Sequence, residues 1–266
     1  IVERLTKGVE SLVKGAGAEL IYGWAKFSSS KQCTVKTEDG EITIEAENVI
    51  IATGSSHINL PFMPCDEKFV LSSTGALSLK KLPKKVAIVG GGYIGLELGC
   101  ALSKLGTEVT VIEGMDSILA IMDKEIRRPL EIWLKKNKVT VHTNALARGS
   151  KIKGKGAASK VELTFEKDSK ENKILVDKIL VTVGRSPNSK GWGLENMGVR
   201  MDTSGRFIRI DRQCRTSAPG VYAIGDVAGE PMLAHKASAQ GEMVAEIISG
   251  EKREFDKVAI PAIVFT

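Results

Sequence analysis

A chain of 266 residues, 42% hydrophobic and 26% charged, has the makeup of a globular protein with room for more than one core. Its net charge of +6 comes from 38 basic residues scattered along the sequence. The Lys/Gly stretch 151–156 has no aromatic residues for base stacking, which argues against nucleic acid as a partner and for a solvated hairpin tip. No apolar run nears the ~18 residues of a membrane span, and Ile1–Leu5 lacks the basic and apolar regions of a signal peptide. Cys33, Cys65, Cys100 and Cys214 form no CxxC or metal-ligand spacing. They read as inert thiols of a reducing compartment, the bacterial cytoplasm or alternatively the mitochondrial matrix, with no metal site expected.

In chain order, Ile1, Leu5, Val9, Leu12 and Val13 recur at helical spacing and predict an amphipathic helix over residues 1–16. Short strand-like runs follow: Glu19–Tyr22, then Cys33–Lys36 and Ile42–Ile44 about the turn Glu38-Asp39-Gly40. Asn48–Thr53 reads as a buried strand stopped by Gly54. Residues 55–82, with Pro61, Pro64 and Ser72-Ser73, read as a connecting segment.

From Pro83 the pattern becomes βαβ. Lys85–Val89 is a strand, Tyr93–Leu105 a helix closed by Gly106, and Glu108–Glu113 a second strand. A helix over Asp123–Lys136, broken near Pro129, and a strand Val139–His142 continue the alternation, which means a parallel, helix-covered sheet. Residues 145–180 read as an antiparallel excursion with strands at Val161–Phe165 and Lys173–Val176. Lys178–Val183 is one more buried strand, residues 206–224 are short strands, and a helix runs over Ala234–Ser249 to Gly250. "NVIIATGSS" at 48–56 and "KILVTVGRSPN" at 178–188 share one shape, an apolar strand, a glycine and a polar turn, which suggests two related nucleotide-binding modules.

Gly90-x-Gly92-x-x-Gly95 follows a strand and opens a helix, the context that lifts this motif above chance. The first glycine permits the tight turn, the second lets backbone approach a pyrophosphate, and the third lets helix and strand pack closely. The helix N-terminus offers free N–H groups and a positive dipole end to phosphate. Glu113 ends the second strand, where its carboxylate can accept from adenine ribose hydroxyls. A 2′-phosphate there would meet like charge, so NAD is favoured over NADP. His57 and His142 read as surface or strand histidines.

"GGGYIGLELG" at 90–99, "TVGRSPN" at 182–188 and "YAIGDVAGEPMLAHKA" at 222–237 together resemble the flavoprotein disulfide reductases. "PMLAHKA", "SSTGALSL" at 72–79 and "IPAIVFT" at 260–266 are most similar to the branch that oxidises dihydrolipoamide. The resemblance implies an α/β protein: a Rossmann-like NAD-binding domain (residues 72–190), flanked by part of an FAD-binding domain (1–71) and a central domain completing the FAD site (191–257). Residues 258–266 would begin a dimerisation domain. It further implies that Gly90, Gly91, Gly92, Tyr93, Ile94 and Gly95 hold NAD, with Gly184 against the nicotinamide half and Leu146 near the adenine. Tyr93 would gate the nicotinamide pocket, with a semi-exposed helix residue as the alternative. Glu97 would pair with a lysine near flavin N5. Thr53, Gly54 and Ser55 would border FAD, Asp226 would hold its ribitol, and Met232, Leu233, Ala234 and His235 would begin a helix aimed at the flavin pyrimidine. Trp24 matches a turn near the flavin adenine, with Ala25 where the family has glycine.

The same resemblance calls for a redox-active Cys-x4-Cys pair and a His-Glu base, and no two cysteines here are five apart. The chain is therefore expected to be an internal fragment with no catalytic residue of its own, binding NAD but not retaining FAD. The intact enzyme would dimerise, oxidise dihydrolipoamide on the lipoyl domains of 2-oxo acid dehydrogenase complexes, and pass hydride through FAD to NAD+. The alternatives are the NAD module of a reductase of the glutathione or mercuric kind, or a non-catalytic NAD-binding protein.

Overall fold

Three segments, Val86–Val89, Ile179–Val181 and Val109–Ile112 (apolar but for Thr110), are too hydrophobic to leave a face in water, and they form the centre of a parallel sheet whose edge on one side is Val70–Leu71. The computed structural model, which describes residues 2–256 and 259–266, divides the chain into two units: Ile1–Ser55 with Pro187–Ile260, and Ser56–Ser186 with Pro261–Thr266.

In the second unit, strands β6 (Val70–Leu71), β7 (Lys85–Val89), β8 (Glu108–Ile112), β9 (Thr140–His142) and β13 (Lys178–Val181) form one sheet in the order β6-β13-β7-β8-β9. Every registered pair is parallel, as the βαβ pattern requires. Helices α3 (Tyr93–Lys104) and α4 (Lys124–Lys136) make the connections around β8. Side chains alternate across the sheet with period two. Val86 and Ile88 join Leu96, Cys100 and Leu134 of the helices in one core. Ala87 and Val89 join Val161, Leu163, Phe165 and Val176 in another. Those last four belong to β11 (Lys160–Lys167) and β12 (Lys170–Val176), which with β10 (Ala145–Lys153) make the expected antiparallel excursion. One face of the parallel sheet is thus covered by helices and the other by a three-stranded sheet, a mixed α/β arrangement.

Two expectations for this unit are corrected. Helix α4 runs unbroken through Pro129. The lost donor is in the second turn, where both Pro129 and Glu125 are exposed and water can satisfy the Glu125 carbonyl. Residues 55–82 are more than a connector: they hold β5 (Ser55–His57), β6 and the short helix α2 (Ser73–Leu77). Ser72 caps α2 by accepting from the Gly75 N–H at 3.3 Å. Strand β5 pairs with β14 (Arg185–Pro187), and the Ile58 N–H donates to the Gly184 carbonyl at 3.1 Å.

In the first unit, β1 (Trp24–Phe27), β2 (Gln32–Lys36) and β3 (Glu41–Glu45) form an antiparallel sheet, while β4 (Val49–Ile51) pairs in parallel with β15 (Val221–Ala223). Ile51, Trp192, Leu194, Ile208, Val221 and Val227 form one core. Tyr222 of β15 and Met243, Val244 and Ile247 of α5 (Ala234–Ile248) form another with Cys214.

Here too the structure departs from expectation. Residues 19–22 are not a strand; the strand begins at Trp24, so Trp24 and Ala25 lie in β1, with Ala25 opposite Val35, and not in a turn. Gly23 explains the shift: a Cβ there would lie 2.5 Å from the Lys36 carbonyl oxygen, so the backbones meet just before β1. Residues 206–224 supply one strand, β15, and the isolated bridges Met201↔Ile208 and Arg215↔Tyr222. Helix α1 (Val2–Gly15) forms as its periodicity predicts, yet none of its residues is buried, and Leu5, Val9 and Leu12 are 61–75% exposed. Ile1, Lys257 and Val258 lie outside the described residues. Among the described residues no helix is long and apolar enough to cross a membrane.

Candidate dinucleotide site

The glycine cluster fills the turn between β7 and α3, and each glycine meets a different surrounding. Gly90 has φ +106, and a Cβ on it would lie 2.5 Å from the Thr182 carbonyl oxygen. Its N–H donates to the Ile112 carbonyl at 2.9 Å. Gly95, buried in the first turn of α3, would place a Cβ 2.3 Å from the Gly90 carbonyl oxygen and 2.5 Å from Thr182 Oγ1. These two glycines let helix and strand pack closely. Gly92 is the helix N-cap, at φ −79 and ψ 179 with no side-chain cap, and nothing lies within 4 Å of an added Cβ. The space over Gly92 and the N-terminus of the twelve-residue α3, where Tyr93, Ile94 and Gly95 lie, suit a phosphate.

Glu113 follows β8 and turns back toward this cluster. Its Oε2 accepts from the Gly91 N–H at 2.5 Å and its Oε1 from the Met115 N–H at 2.7 Å. Both oxygens keep acceptor capacity, so the carboxylate is fixed in place and could still receive sugar hydroxyls. Leu146 of β10 is half exposed, and its Cδ2 would lie 3.0 Å from a Cβ on Gly114, so it is an apolar wall beside Glu113. At the end of β13, Thr182 Oγ1 donates to the Gly90 carbonyl at 3.0 Å. Gly184 is exposed with φ +126. Tyr93 is partly buried against the helix-side core. The described partner of Glu97 is the Phe265 N–H, which donates to its Oε1 at 2.8 Å.

The other expected residues gather in the first unit. Thr53 Oγ1 donates to the Asn188 carbonyl at 2.8 Å, Asn188 Nδ2 donates to the Thr53 carbonyl at 2.9 Å, and the Asn188 N–H donates to the Gly54 carbonyl at 2.9 Å. Ser55 Oγ donates to Asp226 Oδ2 at 2.5 Å. Asp226 lies in a 3-10 turn (Gly225–Ala228) whose Gly225 N–H donates to Gln240 Oε1 of α5 at 2.8 Å. Leu233 is the N-cap of α5 with no side-chain cap, Met232 precedes it, and Ala234 and His235 are exposed in the first turn. That end of α5 fits an acceptor such as a flavin carbonyl by the same dipole argument.

Three residues with structural roles here are ones whose roles sequence reading does not assign: Thr182, Asn188 and Lys236. All three lie inside the motifs quoted above. Lys236 is 4% exposed and donates to the Gly229 carbonyl. Burial pushes its ammonium below the usual lysine range, against the pull of the Asp226 and Glu230 carboxylates. His57 ends β5, a strand histidine as expected, and lies with Cys65 and Glu67, their ligand atoms all within 4.8 Å of one another.

A parallel βαβ sheet with a glycine turn at the N-terminus of α3, a carboxylate held against that turn and a second uncapped helix start at α5 are features of the flavin- and pyridine-nucleotide-linked reductases. The profile of the pyridine nucleotide-disulphide oxidoreductase family matches residues 1–241, and the chain belongs to that family. It is 45% identical over 267 aligned positions to a dihydrolipoyl dehydrogenase of Pseudomonas aeruginosa and 44% identical to one of Bacillus subtilis. All of the chain aligns with each, spanning 55% and 56% of their lengths. A solved structure of LpdA from Mycobacterium tuberculosis superposes with a TM-score of 0.86 at 28% identity, over 99% of this chain and 57% of that one.

Proposed function

We propose that this chain supplies the NAD site and a share of the flavin site of a dihydrolipoyl dehydrogenase. The carrying observation is the Glu113 carboxylate fixed against the Gly91 N–H of a turn whose Gly92 faces open space. The full alignment with two dihydrolipoyl dehydrogenases supports the particular reaction. In this reading the N–H groups of Gly92 and the start of α3 bind the pyrophosphate, while the Gly91 N–H holds Glu113 in place. Glu113 accepts from the adenine ribose hydroxyls, Leu146 lies against the adenine, and Gly184 leaves room for the nicotinamide, with Tyr93 gating its pocket. Glu97 pairs with a lysine near flavin N5. Thr53, Gly54, Ser55 and Asp226 border FAD, and the uncapped start of α5 at Met232–His235 polarises the flavin pyrimidine and favours its reduced anion. The bound FAD and NAD supply the two-electron chemistry, and this chain's groups bind, orient and polarise them.

The substrate would be dihydrolipoamide carried on lipoyl domains of 2-oxo acid dehydrogenase complexes. The protein would be a homodimer in a reducing compartment, the bacterial cytoplasm or alternatively the mitochondrial matrix. The 266-residue chain alone, with no two cysteines five apart, would bind NAD, release FAD on purification and oxidise no dihydrolipoamide. A near-stoichiometric flavin absorbance in the purified chain would contradict the FAD part.

Glu113→Ala tests the coenzyme assignment. The wild-type chain should prefer NAD+ to NADP+ because a 2′-phosphate would bring about two negative charges against the carboxylate. The variant should narrow that preference at least tenfold by calorimetry, and an unchanged ratio of the two dissociation constants would refute the ribose role. In a polypeptide that also carries the family's cysteine pair, dihydrolipoamide should drive NADH formation. Preference for glutathione as the thiol would overturn the substrate assignment.

A further inference from the structure

We propose that His57, Cys65 and Glu67 form a zinc-binding site, with imidazole nitrogen, thiolate sulfur and carboxylate oxygen as ligands and a fourth position left to water. The inference is independent of the proposed function, because none of the three is assigned a part in the dinucleotide site.

The ligand atoms of all three side chains lie within 4.8 Å of one another. Zinc bonds of about 2.0–2.3 Å in a tetrahedron set ligands roughly 3.3–3.8 Å apart, so side-chain rotations of an ångström or so close the site. One nitrogen, one sulfur and one carboxylate oxygen suit borderline-soft Zn2+ better than Mg2+ or Ca2+, which take all-oxygen sets.

The loop carrying two of the ligands is built to hold them. Asn59 Oδ1 accepts from the Cys65 N–H at 3.1 Å. Asp66 Oδ1 accepts from the N–H groups of Lys68, Phe69 and Val70 at 2.7–2.8 Å, and the Asp66 and Glu67 N–H groups both donate to the Val70 carbonyl at 3.0 Å. Glu67 itself has φ +54, a left-handed conformation unusual for a non-glycine residue, which re-aims its side chain. Its Oε2 accepts from the Ser72 N–H at 3.2 Å, in space left by Gly75, where a Cβ would lie 1.7 Å from that oxygen. The backbone thus fixes the carboxylate, and β5 brings His57 to it. The Glu67 and Asp66 carboxylates in the same loop as Cys65 favour a dication there. Metal binding replaces the thiol proton, which passes to buffer, and no electron moves.

The test uses the reduced, chelator-treated chain. Zn2+ titrated against a chromophoric chelator should bind one-to-one. Co2+ in its place should give a thiolate charge-transfer band. Cys65→Ser should abolish the band, and His57→Ala and Glu67→Gln should each weaken zinc at least tenfold. Cys33→Ser should leave both readings intact, and far-ultraviolet circular dichroism checks that each variant is folded. Absence of a saturable zinc site in the wild-type chain, a charge-transfer band that survives Cys65→Ser, or zinc affinity unchanged in both folded His57→Ala and Glu67→Gln would overturn the proposal.

Discussion

Gly92→Ala separates a ligand-facing glycine from one the fold requires. Among Gly90, Gly91, Gly92 and Gly95, only Gly92 would place a Cβ in space with no atom within 4 Å. Its φ of −79 and ψ of 179 are open to alanine. Alanine is the poorer N-cap by about 0.5–1 kcal/mol, and the stiffer unfolded chain returns about 0.4–1 kcal/mol. The two offset, so the melting temperature should move by no more than about 1–2 °C for a chain of this size. Binding should respond differently. If the pyrophosphate approaches the Gly92 backbone, the methyl group occupies its place, and NAD+ should bind at least tenfold more weakly, a loss of about 1.4 kcal/mol. Calorimetry of NAD+ binding and scanning calorimetry of the free protein give the two numbers. NAD+ affinity within twofold of wild type would refute the phosphate assignment. A fall of more than about 5 °C in the melting temperature would refute the open-space reading of Gly92.

Gly95→Ala should do the reverse: its Cβ would sit 2.3 Å from the Gly90 carbonyl oxygen, and overpacking of about 1–3 kcal/mol should lower the melting temperature by several degrees, whereas a change under 1 °C would show that α3 yields freely. Leu163, 0% exposed where β11 covers the parallel sheet, should cost about 2–5 kcal/mol as alanine by urea denaturation, and a loss below 1 kcal/mol would deny the antiparallel sheet its core role. His142, tilted against the Phe165 ring at 5.1 Å, is held below its usual range by burial and then by Lys167. The folded state therefore prefers the neutral ring and the unfolded chain protonates first, so this contribution is intact above about pH 6.5 and is lost as pH falls below it. Wild type should lose more stability than His142→Gln between pH 7.5 and 5.5, and equal losses would exclude His142 as a source.

The parallel sheet was legible because its strands are buried on both faces, which leaves runs such as Val86–Val89 with no polar interruption. The antiparallel excursion was legible from its charged turns. What escaped depended on tertiary approach. Trp24–Phe27 is recognisable as a strand only once Gly23 is seen against the Lys36 carbonyl, and α4 runs through Pro129 in a turn where both Pro129 and Glu125 are exposed. Segment 55–82 looked featureless since its order rests on side chain to backbone bonds from Asp66, Glu67 and Ser72, which leave no periodicity. In the candidate site the glycines and Glu113 carried their own signal. Asn188, which ties down the Thr53–Gly54 turn from 135 positions away, carried none beyond its motif. The same holds for His57 with Cys65 and Glu67, whose spacing matches no familiar ligand pattern.

In the proposed function the turn at Gly90–Gly95, backed by Glu113, binds the adenosine diphosphate half of NAD. Hydrogen exchange on the chain with and without NAD+ tests it most directly. Exchange should slow at the amides of Gly92 to Gly95, with the amides of Trp24–Phe27 unchanged. Exchange at the glycine turn that stays the same at millimolar NAD+ would contradict it.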